Sequence, residues 1–279
     1  MTIATELQRI IDAKAAIKAA IIEKGVDVPD TEKLDVYHEY IDQITGGAPV
    51  FPPDLSKPLD KEQLDNLQNI VGEGKAPEYL SLGDKLLVNY GSYVMPFEVV
   101  GFEDIEVEGG GAKHSINLLA QYTGETGVYW GGSGSPKYSV STLRATAATM
   151  TSSLNSNFTE CLGNTKVDTY SIDGSIDTVY DKLFAPSMSQ LGVTDTKYTT
   201  AQQTSIEGPA FTGYEGAGDG KRIKQAINAT TTDQGYWTRS LYPGASGSFG
   251  VISPAGRANN IGGATNTRRV LVACNLIGK

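Results

Sequence analysis

The C-terminal part of the chain contains the sequence that decides its fold. It reads Gly235-Tyr-Trp-Thr-Arg-Ser240, then Gly247-Ser-Phe-Gly-Val-Ile-Ser-Pro-Ala-Gly-Arg257, and finally Arg268-Arg-Val-Leu-Val-Ala-Cys-Asn-Leu276. Strand-like pieces alternate here with loops of Gly, Ser, Asn and Thr. Such loops can change in sequence while the paired strands hold them in place. The pattern therefore favours a recognition protein on a rigid frame over an enzyme.

Charge and composition exclude several classes of protein. The 279 residues carry a net charge of -9 and no dense cluster of Lys and Arg, which argues against nucleic acid as a partner. No run of 18 apolar residues occurs, so the sequence predicts no membrane insertion. Charged residues interrupt the first 22 positions, so we expect no signal peptide and synthesis in a cytoplasm. We expect Cys161 and Cys274 to be buried and free of metal, as isolated cysteines usually are.

Residues 1–46 form the first predicted module. Apolar residues follow a 4-3 rhythm over the first 24 positions, with alanines between them, which predicts an amphipathic helix. The apolar positions that we expect to mediate oligomerisation are Ile3, Leu7, Ile10, Ile17 and Ile21. Gly25 suits the end of this helix.

A second helix is predicted after a short connection. Asp30 or Thr31 can cap it, and its apolar stripe contains Leu34, Tyr37, Ile41 and Ile44. A hairpin of two such helices has too few large apolar side chains to offset the entropy of ordering its backbone. It should therefore pack against copies of itself or dock on a larger particle, and the 4-3 spacing favours copies. Packing on its own C-terminal domain is the alternative.

Residues 47–79 are predicted to be a proline-rich linker and connector, with a short helix over Lys61 to Val71, and residues 80–279 to be a mixed α/β domain. The whole chain is thus of the α+β class, with an N-terminal helical hairpin or coiled-coil stalk. In the domain we expect strands at 82–89, 93–102, 105–108 as an extension of the preceding strand, 115–122 and 182–184, and helices at 141–154 and 175–183.

The candidate ligand-binding residues lie on or beside the C-terminal turns. Arg, Tyr and Asn in loops suit adaptable polar recognition with aromatic anchoring. The candidates are Tyr242, Phe249, Arg257, Asn259, Asn260 and Asn266. Trp237 has two interpretations, a core residue or an exposed ring that stacks on a sugar.

The sequence offers little support for catalysis, and we expect no catalytic residue, no metal and no cofactor. The glycine-rich segments 131–134 and 216–220 lack the Gly-Lys-Ser/Thr ending of a phosphate loop. His114 has no neighbouring signature of a Ser/His/Asp triad. Four aspartates, at 168, 173, 177 and 181, lack the regular spacing of a calcium loop and are interpreted as solvated surface.

Two parts of the sequence resemble known families. The stretch Ile11-Asp-Ala-Lys-Ala-Ala-Ile-Lys-Ala-Ala-Ile-Ile-Glu-Lys-Gly-Val26, followed by the apolar residues of the second helix, resembles a helical module near the start of bacteriophage tail and fibre proteins. The C-terminal domain resembles a domain of phage tail and gut-bacterial surface proteins. That family is similar to the C-type lectin-like fold of variable phage receptor-binding proteins and of formylglycine-generating enzymes. The landmarks are Gly83-Asp84, Tyr90-Gly91, Trp130, Ser133, Leu143, Leu154-Asn155, Phe158-Thr-Glu160, Leu183-Phe184, Ser187, Tyr236-Trp-Thr-Arg-Ser240, Gly250 to Gly256 and Arg269 to Leu276.

The chain departs from that pattern at three points. Arg269-Val-Leu stands where the family usually has Arg-Pro-Ala, and Thr238 stands where a Leu follows the aromatic doublet. The enzyme branch needs a pair of cysteines close together near the C-terminus, and Cys161 and Cys274 do not supply it. The resemblance therefore implies the fold without implying oxidase activity.

The resemblance implies a fibre protein of a bacteriophage virion. Its N-terminal module would form a homotrimer and contact other virion proteins, and its lectin-like domain would bind a glycan or protein on the bacterial surface. The alternative is a structural head-fibre, decoration or baseplate component without receptor binding. An enzyme acting on the cell surface would need clustered carboxylates, and no such spacing stands out in the sequence.

Overall fold

The computed structural model describes residues 3–23, 26–42, 53–124, 127–131, 137–171, 173–228, 235–242, 247–263 and 266–279, without the side chains of residues 42 and 259–262. The chain divides into two compact units, Met1–Phe51 and Pro52–Lys279. Within the described residues there are seven α-helices and several β-sheets, so the expected mixture of helix and sheet is confirmed. No helix in this part of the chain is long and apolar enough to cross a membrane.

The first unit contains two helices, α1 (Ile3–Glu23) and α2 (Tyr37–Asp42), and a 3-10 turn over Leu34–Val36 leads into α2. The predicted first helix is confirmed. The second helix begins later than the predicted cap at Asp30 or Thr31. The reason is that Lys18 binds the Asp30 carboxylate and Lys14 binds the Glu32 carbonyl, so these residues form the connection and do not cap a helix.

A small apolar cluster holds the first unit together. Ile21, Val28 and Tyr37 are buried in it, with Val26 and Tyr40 packed against them. Ile21 therefore packs inside the unit. The other four apolar positions assigned to oligomerisation are solvent-exposed in the single chain, with exposed fractions from 40% to 90%: Ile3, Leu7, Ile10 and Ile17.

The second unit contains the remaining helices and fifteen strands within the described residues. The helices are α3 (Lys61–Gly72), α4 (Ala76–Tyr79), α5 (Thr142–Met150), α6 (Ser156–Glu160) and α7 (Ala201–Glu207). The strands are β1 (Lys85–Tyr90), β2 (Tyr93–Gly101), β3 (Ile105–Val107), β4 (Gly111–Lys113), β5 (Ser115–Ala120), β6 (Tyr122–Thr123), β7 (Val128–Tyr129), β8 (Thr165–Tyr170), β9 (Ile176–Asp181), β10 (Gln225–Ala226), β11 (Tyr236–Leu241), β12 (Ser248–Ile252), β13 (Ala258–Gly263), β14 (Thr267–Val270) and β15 (Ala273–Ile277).

The strands form three larger sheets and one short parallel pair, β10 with β6. One sheet has the antiparallel order β1-β2-β5-β15, so the last strand of the chain pairs with a strand from the early part of the unit. A second sheet has the order β4-β3-β8-β9. The third has the order β13-β12-β11-β14-β7, with β11 in its centre and parallel to β14. This third sheet carries the C-terminal loops.

The predicted connector is part of the second unit. Helix α3 confirms the predicted helix, and a capping box between Asp60 and Gln63 fixes its start. Its buried face, which includes Leu64 and Leu67, packs on β5 and β15. Residues 53–79 therefore belong to the folded body, because α3 covers one face of its sheet.

Several other predictions can be compared with the elements. The hairpin of β1 and β2, strand β5 and helix α5 are confirmed. The predicted extension at 105–108 is wrong, since β3 belongs to a different sheet and Asn117 holds the bend before it by accepting from the Glu103 amide. In the segment 182–184, which was predicted to be a strand, only Phe184 takes part in β pairing, through an isolated β-bridge with Ala273.

The predicted helix at 175–183 is also wrong, because this segment contains strand β9. Burial alternates along β9, with Asp177, Val179 and Asp181 inward. The sequence Ile-Asp-Thr-Val-Tyr-Asp thus has the period of a strand. Gly174, with a positive φ of 82°, makes the turn from β8.

A buried arginine ties together the centre of the second unit. Arg239 on β11 is only 2% exposed. Its guanidinium donates to the Ala185 carbonyl at 2.9 Å, to Gln190 Oε1 at 2.6 Å and to the Glu207 carbonyl at 2.8 Å. The Glu207 side chain is buried beside it and accepts from the Ser240 hydroxyl, and burial raises the pKa of this carboxyl. One side chain therefore fixes β11 to the end of α7 and to the loop after β9.

A second buried network contains a lysine. Lys224 is 3% exposed, and its Nζ donates to the Tyr214 hydroxyl at 3.0 Å and to Gln121 Oε1 at 3.1 Å. Glu98 Oε2 lies 3.9 Å from the same nitrogen and accepts from Gln121 at 2.7 Å. Burial lowers the pKa of Lys224 to about 8, against the attraction of Glu98. The network joins the segment after α7 to strand β2.

Replacing Arg239 with Met should destabilise the second unit by about 3–5 kcal/mol, because the substitution leaves the carbonyls of Ala185 and Glu207 buried without their donor and the buried Glu207 carboxyl without its neighbouring positive charge. Urea unfolding followed by tryptophan fluorescence measures the change. Arg257→Ala is the control, since its side chain is 68% exposed and its loss should alter the free energy of unfolding by less than about 0.5 kcal/mol. Equal stability of the two variants would contradict the assigned role of Arg239.

The wild-type protein should gain stability relative to a Lys224→Met variant as pH rises from 8 towards 10. The folded state releases the Lys224 proton near pH 8, whereas the unfolded chain keeps it until about 10.5, so the unfolded state binds more protons in this interval. The gain should approach about 1.4 kcal/mol per pH unit. Urea unfolding of both variants at several pH values measures it. A difference that stays constant above pH 8 would disprove the lowered pKa.

Candidate functional site

The structure separates the predicted ligand-binding residues. Phe249 is wrong as a ligand-binding residue, because it is 1% exposed and its ring stacks on that of Trp130 with centroids 3.5 Å apart. Arg257 is exposed and pairs with Asp219 at 3.7 Å. Tyr242 is half-buried, with its ring edge against Tyr198. The prediction placed Phe249 on or beside a turn, and the structure places it within β12.

Two of the predicted asparagines lie on the edge strand β13, and the third directly precedes β14. Asn266 is exposed, and its amide donates to the Gly263 carbonyl at 2.9 Å. Asn259 and Asn260 belong to β13, where Asn260 pairs with Val251, and their side chains lie outside the described residues. None of Tyr242, Arg257 and Asn266 lines either of the two clefts described below.

Trp237 is a core residue, so the interpretation as a sugar-stacking ring is wrong. It is fully buried, and its indole donates to the Val128 carbonyl at 2.8 Å. Trp130 is buried on the same sheet and donates to the Thr238 carbonyl at 2.9 Å. The two indoles therefore bind β11 to its neighbours. The motif at 236–240 therefore has a structural role, and it presents no exposed aromatic ring to a ligand.

One cleft lies at the edge of the C-terminal sheet and contains two arginines; we call it the arginine cleft. Its volume is about 360 Å³, within the range of small-ligand sites. Its lining consists of Gly127, Gly235, Val251, Ser253, Pro254, Thr267, Arg268 and Arg269. Among these described lining residues the charged ones are the two arginines, and no carboxylate is among them, although the chain as a whole is negative.

Hydrogen bonds to backbone carbonyls orient the two arginines. Arg268 and Arg269 lie on β14, which pairs with β11 on one side and β7 on the other. Arg268 Nη1 donates to the Thr267 carbonyl at 2.7 Å, and Arg269 Nη1 donates to the Gly124 carbonyl at 2.9 Å. Arg268 is half-buried. A guanidinium has five N–H donors in a planar fork that matches carboxylate and phosphate groups.

Gly235 fits closely into the wall of this cleft. A Cβ on Gly235 would lie 3.2 Å from the Ile252 carbonyl oxygen and 3.4 Å from Pro254 Cδ, so a side chain there would crowd the wall. The wall, the floor and the arginines come from segments near positions 127, 235, 251–254 and 267–269. The arrangement can bind an anionic group.

A second cleft, which we call the hydroxyl groove, lies between the β1–β2 turn and α5. Its volume is about 490 Å³. Its lining consists of Tyr90, Gly91, Ser92, Tyr93, Gly124, Thr146, Thr149, Met150, Ser152, Ser153 and Val270. These residues include no charged side chain. The groove and the arginine cleft thus differ in chemistry.

Other titratable groups in the described residues have structural partners. Asp181 forms a bidentate pair with Arg144, and Asp177 accepts from the Ser139 amide at 2.7 Å. Within the described residues, no group of three His, Cys, Asp or Glu side chains could hold a metal ion. His114 Nδ1 lies 2.6 Å from Asp104 on the exposed surface.

The two cysteines are buried, as predicted, and they form no disulfide with each other. Burial raises the pKa of the Cys161 thiol to about 11 and that of Cys274 further still. Both therefore stay protonated near neutral pH and are poor nucleophiles there.

Comparison with known proteins yields one family. Residues 114–278 match the model of the family described as Domain of unknown function (DUF6273). No curated protein and no solved structure matches the chain. The match begins at β5 and runs through β15, so it includes the arginine cleft and the C-terminal sheet. Because the matched segment covers more than half of the chain, the protein belongs to the DUF6273 family.

Proposed function

We propose that the protein is a bacteriophage virion fibre protein that attaches the particle to the surface of its bacterial host. The first unit joins copies of the chain into a homotrimer and contacts other virion proteins. The second unit is a C-type lectin-like domain, and its arginine cleft binds an anionic group of a surface glycan or protein. The observation that carries the proposal is the arginine cleft, because Arg268, which the Thr267 carbonyl orients, lines it, and the lining residues that the structure describes include no carboxylate.

The topology supports a lectin-like domain. Strand β15 returns to pair with β5, so the two ends of the matched segment lie in one sheet. A separate sheet with β11 at its centre carries the loops, and helices α5 and α6 come between them in the chain. Such a frame holds loops at one edge of a sheet while the chain ends are used for attachment.

The exposed apolar residues of α1 support assembly. Ile3, Leu7, Ile10 and Ile17 repeat with spacings of four, three and seven, which is the seam of a coiled coil. A single helix that exposes such a seam to water gains free energy by burying it against copies. A trimer would present three clefts together, so weak individual sites could give strong attachment.

An Ile10→Lys substitution should dissociate the trimer, because it places a charge in the apolar seam. Sedimentation equilibrium should give three times the chain mass of 29.7 kDa for the wild type and a smaller mass for the variant. Ile22→Lys is the matched control, since Ile22 has a similar exposure, 45% against 50%, and lies off the 4-3 positions. A wild-type protein that sediments as a single chain at micromolar concentration would overturn the assembly.

An Arg268→Ala substitution should weaken binding of the full chain to acidic bacterial polysaccharides by at least about tenfold, the loss expected for a charge-assisted hydrogen bond. A polysaccharide array and biolayer interferometry measure the binding. Lys57→Ala is the control, because it removes one exposed positive charge of the same unit far along the chain from the cleft residues. Arg268→Lys should restore only part of the affinity, since it keeps the charge and loses the fork.

The same array decides between attachment and a structural role. If the trimer binds no polysaccharide and no bacterial cell, attachment is disproved and a head-fibre, decoration or baseplate component takes its place. If binding occurs and Arg268→Ala does not change it, the arginine cleft is the wrong site.

A further inference from the structure

The hydroxyl groove has a chemistry that the arginine cleft lacks. Its lining is uncharged and combines hydroxyl groups with the ring of Tyr93, which is 38% exposed. A groove for an anion would need a cation in its wall, and none is present in this lining. A purely apolar ligand would strip water from the hydroxyl groups without replacing their hydrogen bonds.

The hydroxyl groups of α5 present acceptors to the groove. Thr146 Oγ1 donates to the Thr142 carbonyl at 2.8 Å, Thr149 Oγ1 to the Thr146 carbonyl at 2.7 Å, and Ser152 Oγ to the Thr149 carbonyl at 2.7 Å. Each of these three hydroxyl groups thus donates its hydrogen to a backbone carbonyl of the same helical segment. A hydroxyl oxygen keeps two lone pairs, so these groups can accept hydrogen bonds from a ligand rich in O–H donors.

Backbone hydrogen bonds fix the walls of the groove. The amide of Gly91, in the β1–β2 turn, donates to the Ser153 carbonyl at 2.8 Å and joins the turn to the end of the α5 segment. The Gly124 amide donates to the Val270 carbonyl at 2.8 Å in the floor. A groove whose walls are tied together in this way loses little conformational entropy when a ligand binds.

We propose that the hydroxyl groove binds a neutral saccharide unit. A sugar supplies O–H donors for the row of acceptors on α5, and its C–H face can lie on the Tyr93 ring, which has an apolar body and a polar end. The volume of about 490 Å³ admits one or two sugar rings. This inference rests on the proposed attachment function and names the kind of ligand unit that a second site would take.

The two clefts are lined by neighbouring residues of β14, although no residue lines both. Gly124 and Val270 line the groove, whereas Gly127 and Arg269 line the arginine cleft, and the Arg269 guanidinium is bonded to the Gly124 carbonyl. The two clefts are therefore neighbours along β14 with separate linings.

The test uses the full chain and a panel of neutral oligosaccharides together with the same oligosaccharides carrying a uronic acid. Saturation-transfer NMR identifies binders, and calorimetry gives their dissociation constants. We expect neutral members to bind, and Tyr93→Ala to raise their dissociation constants by at least about tenfold, as for loss of a stacked ring. Tyr93→Phe should stay within about threefold of wild type because the ring remains. Thr149→Val should weaken binding because it removes an acceptor at nearly constant shape.

Two controls separate the groove from the arginine cleft. Tyr79→Ala removes a tyrosine of the same exposure, 37%, that does not line the groove, and it should leave binding unchanged. Arg268→Ala should weaken binding of the uronic-acid members and leave the neutral members unchanged. Thermal unfolding by circular dichroism verifies that each variant is folded.

The outcomes distinguish the two proposals. If acidic members bind through Arg268 and no neutral member binds, or if Tyr93→Ala leaves neutral binding unchanged, the saccharide groove is disproved and the attachment function stands. If neither neutral nor acidic members bind, and bacterial cells do not bind either, both proposals fall.

Discussion

The burial of Arg239 is the constraint on which the second unit depends. A guanidinium removed from water must have its donors satisfied, since an unpaired buried charge costs several kcal/mol. Carbonyls of Ala185 and Glu207 and the amide oxygen of Gln190 satisfy it here. These acceptors come from two segments, the loop after β9 and the end of α7, so the bonds fix both segments relative to β11. Strand β14 pairs with β11 and contributes both arginines of the arginine cleft. The hydrogen bonds of Arg239 therefore also fix the position of the cleft.

Arginine thus has two physical roles in this chain. The hydrogen-bond partners of each arginine and its exposure to solvent decide which role it has. Arg239 is enclosed and bonded to fixed acceptors, so it cannot bind a ligand. Arg268 and Arg269 donate to the carbonyls of Thr267 and Gly124, and both line the arginine cleft. The bonded carbonyls orient the two guanidinium groups. A carbonyl dipole holds a cation in place and leaves most of its charge for an anion, whereas a lining carboxylate would cancel that charge.

The sequence predicted elements with strong local signals and failed where tertiary contacts decide. Helix α3 has a capping box, and the hairpin of β1 and β2 has its glycine turn, so both were predictable. The segment of β9 contains aspartates that point inward. A local pattern does not predict buried aspartates, because their burial depends on a distant partner, as Arg144 is for Asp181. Phe249 resembled a loop anchor because pairing of β12 is invisible in a local pattern. The residues that line the arginine cleft are spread from position 127 to position 269, so no local spacing in the sequence predicts the cleft.

The residues of the hydroxyl groove are separate from the buried core, so the groove can change in sequence independently of the core. Ser92, Thr149 and Ser152 are exposed in the hydroxyl groove, and none of them contacts the Arg239 network. Exposed positions away from buried networks usually tolerate substitution at a cost below about 0.5 kcal/mol. Changes in the groove can therefore alter its chemistry while β11 and its buried bonds stay intact. A surface protein that must follow a variable partner needs this independence, because a site built from its own core residues would lose stability with every change of specificity.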